Sequence, residues 1–195
     1  MSNIIKTKIY YLIFFILIFL LIGGLLFFKL NSQKKLEQEI KNNSQTSMEL
    51  LSPAFNNNDF IPQKYTCDGE NISPPLIIKE VPQGTKSLVL IVDDPDAPIK
   101  VWVHWLVWNI SPSVKEIKEG EKVEGAVEGL NDFGRNSYGG PCPPRGVHHY
   151  HFKLYALNKT INLPSSSRKK DLEEAILGSV IAKAELVGLY QRKRR

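Results

Sequence analysis

The sequence predicts a mainly β fold, a two-sheet β-sandwich with one or two peripheral helices, preceded by a single transmembrane helix. Three runs rich in β-branched and aromatic residues are bounded by proline and glycine, which is typical of strands. One amphipathic run near the carboxyl end predicts a helix, and one uncharged run near the amino end predicts a membrane span. The length of 195 residues allows one domain of ordinary size.

The uncharged run covers residues 9–28, between Lys8 and Lys29, and follows a short amino-terminal tail, residues 1–8. A helix of this length spans about 30 Å, the thickness of the hydrocarbon layer. A cleaved signal peptide has a shorter apolar region, about 7–15 residues, and a cleavage site of small residues. Because Phe27 and Phe28 end this run, we expect an uncleaved anchor instead.

The orientation of this single-pass anchor is left open by its flanking charges, since lysines lie on both sides. A short amino-terminal tail is most simply kept in the cytoplasm, which would place the domain outside it. Residues 29–49 are rich in Asn, Gln, Ser and Lys, and we expect them to form a spacer. The domain is expected over residues 50–195, with a basic tail at 192–195.

The net charge of +5 does not belong to the domain. Residues 50–191 hold fifteen basic and seventeen acidic side chains, so the positive excess lies near the anchor and in the tail. Nucleic-acid binding needs Lys and Arg clustered on the folded domain itself. We therefore expect no nucleic-acid partner.

The strands are predicted at residues 87–94, 101–110 and 150–157. The second of these is apolar on both alternating faces, which predicts a central strand that is covered on both sides. The helix is predicted from N-cap serines at 165–167, acidic residues in its first turns, and the helical spacing of its apolar side chains. Those apolar residues are Leu172, Ile176 and Val180.

A small pocket is predicted at the rim of the sheet, because Asp94, His104 and His148 each share a strand face with large apolar residues. The alternative is that these histidines are ordinary core residues with satisfied hydrogen bonds. The expected same-face sets are Leu88, Leu90 and Val92 with Asp94; Trp102, Leu106 and Trp108 with His104; and Tyr150, Phe152 and Leu154 with His148.

Two imidazoles, a phenol, an indole and backbone N–H groups of glycines favour a small anion such as phosphate or carboxylate. The Asp94 carboxylate opposes an anion unless it orients an imidazole. An enzyme would need a nucleophile or a metal, and no Gly-x-Ser-x-Gly motif occurs.

Two further alternatives remain open from these residues. Cys142 and His148 could form the thiolate–imidazolium pair of a hydrolase. Asp94, His104 and His148 have the ligand types of a metal site, but alternation directs His149 and His151 to the other face. We expect no catalytic residues, no metal and no cofactor.

Seven segments in order carry a family resemblance: YTCDGENISPP (65–75), DPDAP (94–98), HWLVWN (104–109), NDFG (131–134), YGGPCPPRG (138–146), HHY (148–150) and AELVGLY (184–190). Over about residues 50–192 they resemble the phosphatidylethanolamine-binding protein family, in its bacterial and archaeal Raf-kinase-inhibitor-like branch. The resemblance implies a two-sheet β fold with an anion pocket at one end. Its ligand residues carry over onto Asp94, Trp102, His104, Gly140, His148 and Tyr150.

This resemblance implies a membrane-tethered binding module whose ligand is a phospholipid headgroup, a nucleotide or a phosphorylated peptide. The alternative is a protein-interaction module that inhibits a kinase or a protease, as some relatives do. The resemblance also places Cys67 and Cys142 near the pocket. They are expected to form a disulfide if the domain is extracytoplasmic and to be free thiols if it is cytoplasmic.

The sequence departs from the family pattern beside the pocket. The loop between Pro98 and His104 is shorter than in eukaryotic members, so their kinase-binding surface is not implied. Ile99 replaces a small polar residue, and His149 stands where Arg is common, with Arg145 as a partial substitute.

Overall fold

The computed structural model describes residues 48–192 and the single position Lys34, which is helical. The chain divides into two compact units, residues 1–45 and 46–195. The predicted anchor at 9–28 and nearly all of the predicted spacer lie outside the described residues. Within the described residues, no helix is long and apolar enough to cross a membrane.

Nine strands and one α-helix make up the second unit over the described residues, together with a 3₁₀ turn at Gln63–Tyr65. The helix α1 covers Lys169–Ile176. The strands are β1 (Glu49–Leu51), β2 (Asp59–Phe60), β3 (Leu76–Lys79), β4 (Ser87–Asp94), β5 (Trp102–Ile110), β6 (Glu116–Ile117), β7 (Val127–Glu128), β8 (His148–Leu157) and β9 (Val180–Tyr190).

The strands form two sheets, which confirms the predicted mainly β, two-sheet fold with a peripheral helix. A three-stranded sheet has the order β1-β3-β6, and a six-stranded sheet has the order β2-β9-β8-β4-β5-β7. All the pairings are antiparallel except that of β2 with β9. Strand β4 has the predicted bounds, while β5 begins one residue later and β8 two residues earlier than predicted.

The six-stranded sheet is covered on both faces, which explains the full burial of β4. On one face, Leu90 and Phe152 pack in a cluster that includes Leu50 and Ile78 of the small sheet. On the other face, a second cluster contains Trp108 together with the helix residues Leu172 and Ile176. The second unit therefore has three layers over the described residues, with the large sheet in the middle.

The prediction for β5 needs two corrections. The strand is buried on both faces as expected, but it is not central, because only the two-residue strand β7 separates it from the edge. The prediction that His104, Leu106 and Trp108 share one face of the strand was also wrong. A register shift against β4 makes His104 an extra residue, since Val103 pairs with Asp93 and Trp105 pairs with Val92. Leu106 and Trp108 consequently face the helix.

The predicted helix is confirmed only as far as Ile176. Gly178 has a φ of 69°, a left-handed conformation that ends helices readily, and Val180 begins β9 instead of continuing the helix. Sequence analysis did not predict β9. Its alanine, lysine and glutamate residues have weak strand preference, and only its inner residues such as Ala184 and Leu186 are buried.

Candidate ligand-binding site

Asp94 and His148 meet where β4 ends and β8 begins, because these two strands are antiparallel neighbours. Asp94 Oδ2 lies 2.7 Å from His148 Nδ1, and both side chains are buried. The other oxygen, Asp94 Oδ1, accepts a hydrogen bond from the N–H of Asp96 at 2.9 Å. A carboxylate accepts only, so His148 carries a proton on Nδ1 and its Nε2 remains for a ligand.

His104 occupies the bulge in β5, and its Nδ1 lies 2.6 Å from the carbonyl oxygen of Gly139. Since a carbonyl oxygen can only accept, the His104 Nδ1 carries the proton. Burial lowers the pKa of the His104 imidazole, so the ring is neutral near pH 7. Its Nε2 then has a lone pair and is a hydrogen-bond acceptor.

Tyr150 lies beside both histidines. Its ring centroid is 5.1 Å from that of His104, edge to face, and 6.5 Å from that of His148, stacked. Burial raises the Tyr150 pKa, and the Asp94 charge raises it further, so the phenol stays protonated. Its Oη is buried and makes no hydrogen bond of normal geometry to the described residues, although the Asp94 carboxylate lies close enough to act as an acceptor and raise its pKa. A buried unsatisfied hydroxyl costs about 1–3 kcal/mol, which a ligand that accepts its proton would recover.

Trp102 forms the outer wall of the site, because it is only half-buried. Phe133 packs edge to face against the rings of Trp102 at 5.5 Å and His104 at 5.4 Å. Lys100 Nζ lies 5.4 Å from the centroid of the Trp102 ring. The outer part of the site is therefore aromatic with one cation, whereas the inner part is polar.

Gly140 allows close packing of the backbone, but its N–H is not free to donate to a ligand. Its N–H donates to Asn71 Oδ1 at 2.7 Å. A Cβ at this position would lie 2.5 Å from Asn71 Oδ1 and 2.6 Å from the Tyr65 carbonyl oxygen, so only glycine fits. The backbone N–H of Gly140, one of the residues that the family resemblance places at the ligand site, is thus engaged by Asn71 in this structure.

The loop that carries Gly139 and Gly140 is held by several contacts from distant segments. Cys67 and Cys142 form a disulfide with a Cα–Cα distance of 5.4 Å, and the Cys67 N–H donates to the Pro141 carbonyl oxygen at 3.1 Å. The disulfide leaves neither cysteine as a thiol. The thiolate–imidazolium pair of Cys142 and His148, considered from the sequence, is therefore not available in this structure.

Asn131 forms hydrogen bonds with the backbone at the bulge in β5 and with the backbone of its own loop. Its Nδ2 donates to the carbonyl oxygens of His104 at 3.1 Å and Ser137 at 2.8 Å. Its Oδ1 accepts the N–H groups of Phe133 and Arg135, both at 3.0 Å. All of its polar atoms are used, so Asn131 is a positioning residue for the loop that contains Phe133.

Asp96 joins the loop after β4 to the start of β8 at the rim. Its Oδ2 accepts hydrogen bonds from His149 N at 2.8 Å and His149 Nδ1 at 2.6 Å. This side-chain hydrogen bond lowers the pKa of the Asp96 carboxyl. Asp96 thus ties the loop after β4 to His149 at the start of β8.

The structure brings Asp94, His104, His148 and Tyr150 together, with Trp102 on the outside and Gly140 behind them. Asp94, His104, His148 and Tyr150 are all buried, so little of their surface is exposed in this structure. Among the described residues, no cluster of three or more His, Cys, Asp or Glu could hold a metal ion. A separate open cavity of about 280 Å³ contains none of the predicted site residues and is lined by Lys100, Val101, Val103, Leu130, Asp132, Arg168, Lys169, Lys170 and Glu173.

Sequence reasoning gave no role to Asn71, Asn131 or Phe133, although all three lie within the segments that carry the resemblance. Each acts through a contact with a residue distant in sequence or through the backbone of its own loop. No periodicity or charge pattern marks such residues, so the sequence offered no physical signal for them.

A family model described as phosphatidylethanolamine-binding protein matches residues 51–191. A UPF0098 protein of Pyrococcus horikoshii is 55% identical, over 73% of this chain and 76% of its own. A UPF0098 protein of Methanothermobacter thermautotrophicus is 51% identical, over 74% of this chain and 99% of its own.

Two solved structures are similar to this fold. A crystal structure of a phosphatidylethanolamine-binding protein homologue from Chlamydia trachomatis has a TM-score of 0.73 and 45% identity, covering 75% of this chain and 99% of that one. The crystal structure of E. coli YbcL has a TM-score of 0.72 and 34% identity, covering 76% of this chain and all of that one. Those chains consist of the matched domain alone, so this fold forms without a counterpart of residues 1–45.

Proposed function

The chain belongs to the phosphatidylethanolamine-binding protein family, and on that premise we propose that its domain binds a protonated phosphate group between Asp94, His104, His148 and Tyr150. The observation that carries the proposal is the buried Tyr150 hydroxyl, which makes no hydrogen bond of normal geometry and belongs to a ring 5.1 Å from that of His104. A hydroxyl donor without a well-placed acceptor needs a ligand oxygen, and phosphate oxygens are strong acceptors.

The protonation state of the ligand follows from His104. Its Nδ1 is committed to the Gly139 carbonyl oxygen, so its Nε2 can only accept in the neutral ring. A phosphate monoester has a second pKa of about 6, so about a tenth of it still carries one O–H at pH 7. Such a group offers both a donor for His104 and an acceptor for Tyr150, whereas an ionised carboxylate only accepts.

Asp94 also favours a protonated phosphate over a fully ionised one. Its charge is close to the site and disfavours a fully ionised ligand, while its hydrogen bond fixes the His148 ring. The His148 Nε2 accepts a hydrogen bond when the ring is neutral and donates when it is protonated. The site therefore matches a hydrogen phosphate better than a dianion.

Calorimetric titration of the fragment 46–195 with phosphate and phosphoethanolamine tests this proposal. Binding is expected in the wild type and lost in His148→Ala. His151→Ala is the matched control, because His151 lies on the opposite face of β8 and pairs with Glu185 at 2.8 Å. Absence of heat with either ligand, or equal binding by His148→Ala, overturns the proposal. Inhibition of a kinase or protease that survives His148→Ala would instead support a protein-inhibitor module acting through another surface.

We also propose that residues 9–28 tether the domain to a membrane, with the domain on the extracytoplasmic side. The support is the run of twenty uncharged residues bounded by Lys8 and Lys29. The full chain should then stay with membranes after alkaline extraction, and protease added outside intact cells should release the domain. Release of the full chain by alkali, or protection of the domain from the protease, contradicts this arrangement.

A further inference from the structure

The motif Asn-x-Ser/Thr, in which x is any residue except proline, occurs four times in this chain. It is the acceptor motif for N-linked glycans. The four copies begin at Asn42, Asn71, Asn109 and Asn158, and the first of them lies outside the described residues. So short a motif also arises by chance, and only the structure shows which of the other three asparagines an enzyme could reach.

The motif at Asn71 is closed by hydrogen bonds within the fold. Asn71 Oδ1 accepts the N–H of Gly140 at 2.7 Å. The hydroxyl residue of this motif, Ser73, is only 3% exposed and accepts the N–H of Gly120 at 3.1 Å. The folded domain therefore holds the asparagine in place and hides the hydroxyl from a modifying enzyme.

The motif at Asn109 is closed at the asparagine itself. The Asn109 Nδ2 donates to the carbonyl oxygen of Ile161, and its Oδ1 accepts the N–H of the same residue, both at 2.8 Å. This pair of hydrogen bonds joins the end of β5 to the loop that follows β8. A transferase would have to take hold of Nδ2 and break both bonds, so this asparagine is a structural residue.

The motif at Asn158 is open. Asn158 directly follows β8, and Asn158, Lys159 and Thr160 are all exposed. The backbone is fixed, because the Asn158 N–H donates to the carbonyl oxygen of Ser179 at 3.0 Å. The Asn158 amide group and the Thr160 hydroxyl make no hydrogen bond to any residue that the structure describes. Both recognition elements of this motif therefore face solvent at a fixed position.

This open motif lies at the far end of the large sheet from the candidate site. His148 begins β8, whereas Leu157 ends it and pairs with Ser87, the first residue of β4. A strand of ten residues is about 30 Å long. A glycan attached to Asn158 would therefore leave the ligand-binding site open.

The disulfide is an independent observation that points to the same kind of compartment. Bridges such as that between Cys67 and Cys142 persist mainly in oxidising surroundings outside the cytoplasm. N-linked glycans likewise belong to surface loops of exported proteins. The proposed anchor at residues 9–28 would place Asn158 on that side of the membrane.

We propose that Asn158 carries an N-linked glycan, transferred from a donor in which the glycan is joined through phosphate or pyrophosphate to a membrane lipid. The amide nitrogen of Asn158 forms a bond to the anomeric carbon of the first sugar, and the bond from that carbon to the phosphate oxygen breaks. The lipid phosphate leaves with the electron pair, and the amide proton passes to a base of the transferase. This inference rests on the proposed membrane arrangement and is independent of the phosphate site.

Mass spectrometry of the full chain, isolated from the membranes of the cells that produce it, tests the proposal. The tryptic peptide that contains Asn158 should carry the added mass of a glycan, while those that contain Asn71 and Asn109 should be unmodified. Thr160→Ala removes the motif but keeps the asparagine, so the glycan should be lost, whereas Thr160→Ser should retain it. Ser111→Ala is the matched control, since it removes the motif at Asn109 through an exposed residue and should leave the glycan unchanged.

The outcomes separate this inference from the proposed function. Unmodified Asn158 on a domain that external protease releases overturns the glycan and leaves the membrane arrangement in place. A domain that is protected from the protease overturns both, and phosphate binding by the fragment 46–195 is unaffected by either result. A glycan on Asn71 or Asn109 in place of Asn158, or one that survives Thr160→Ala, contradicts the assignment of this motif.

Discussion

Asp94 Oδ2 lies 2.7 Å from His148 Nδ1, and Asp94 Oδ1 accepts the N–H of Asp96. One carboxylate thus fixes both the imidazole at the start of β8 and the loop that follows β4. Neither partner is free to rotate without breaking a buried hydrogen bond. The orientation of His148 is therefore set before a ligand arrives, which lowers the entropic cost of binding.

Asp94→Asn should weaken phosphate binding about tenfold while leaving the fold intact. The asparagine oxygen can still accept from the Asp96 N–H, but its NH₂ group would then meet the Nδ1–H of His148. The imidazole would have to change tautomer or turn. Calorimetry measures the affinity, and ¹⁵N NMR of His148 reports the tautomer. Unchanged affinity together with an unchanged tautomer would show that Asp94 does not orient the ring.

Tyr150→Phe should stabilise the ligand-free domain and weaken its binding of phosphate. The change removes a buried hydroxyl that makes no hydrogen bond of normal geometry, so the free energy of unfolding is expected to rise by about 1 kcal/mol. Loss of the only donor available from the phenol should reduce phosphate affinity about tenfold. Urea unfolding and calorimetry give the two values. A variant that is less stable than the wild type would mean that the hydroxyl is already satisfied in solution.

The neutral state of His104 predicts loss of stability in acid. Burial lowers the His104 pKa in the folded domain, whereas the unfolded chain has an ordinary value of about 6.5. Between the two values the unfolded state binds more protons, so the free energy of unfolding falls as pH falls below about 6.5. His104→Gln can keep a donor to the Gly139 carbonyl oxygen and cannot titrate. Its urea midpoint should depend less on pH over this interval than that of the wild type, and an equal dependence would contradict the assignment.

Reduction of the disulfide should destabilise the domain without unfolding it completely. The bridge closes a sequence separation of 75 residues, and loss of such a bridge costs about 2–5 kcal/mol. The double variant Cys67→Ser/Cys142→Ser should match the reduced wild type in urea unfolding. Because Cys67 and Pro141 also share a backbone hydrogen bond, phosphate affinity should fall less than stability does. Equal stability of oxidised and reduced protein would be evidence against this role.

The sequence was sufficient for the site residues on regular strands. Period-two alternation on β4 and β8 correctly placed Asp94, His148 and Tyr150 beside one another, because both strands pair without interruption at that end. It failed on β5, where the bulge at His104 moves Leu106 and Trp108 to the other face and a second register shift returns Ile110 to the face of the small sheet. A bulge depends on the partner strand, so local sequence does not reveal it.

The loop contacts could not be predicted for a related reason. Gly140 and Asn71 are 69 positions apart, and their hydrogen bond exists only after both sheets have formed. Strand β9 was missed because four of its eleven residues are exposed and its central alanine, lysine and glutamate residues have weak strand preference. Family resemblance supplied Gly140 as a site residue, and the structure shows that it packs closely against Asn71 and Tyr65.

The ratio of the dissociation constants for sulfate and phosphate tests the central claim most directly. Sulfate has the shape of phosphate but carries no proton near pH 7, so it cannot donate to the His104 Nε2. The fragment 46–195 should bind phosphate at least about tenfold more tightly than sulfate, since a site built for a hydroxyl rejects an analogue that lacks it. Equal binding of the two anions, or tighter binding of sulfate, would contradict a site for a protonated phosphate group.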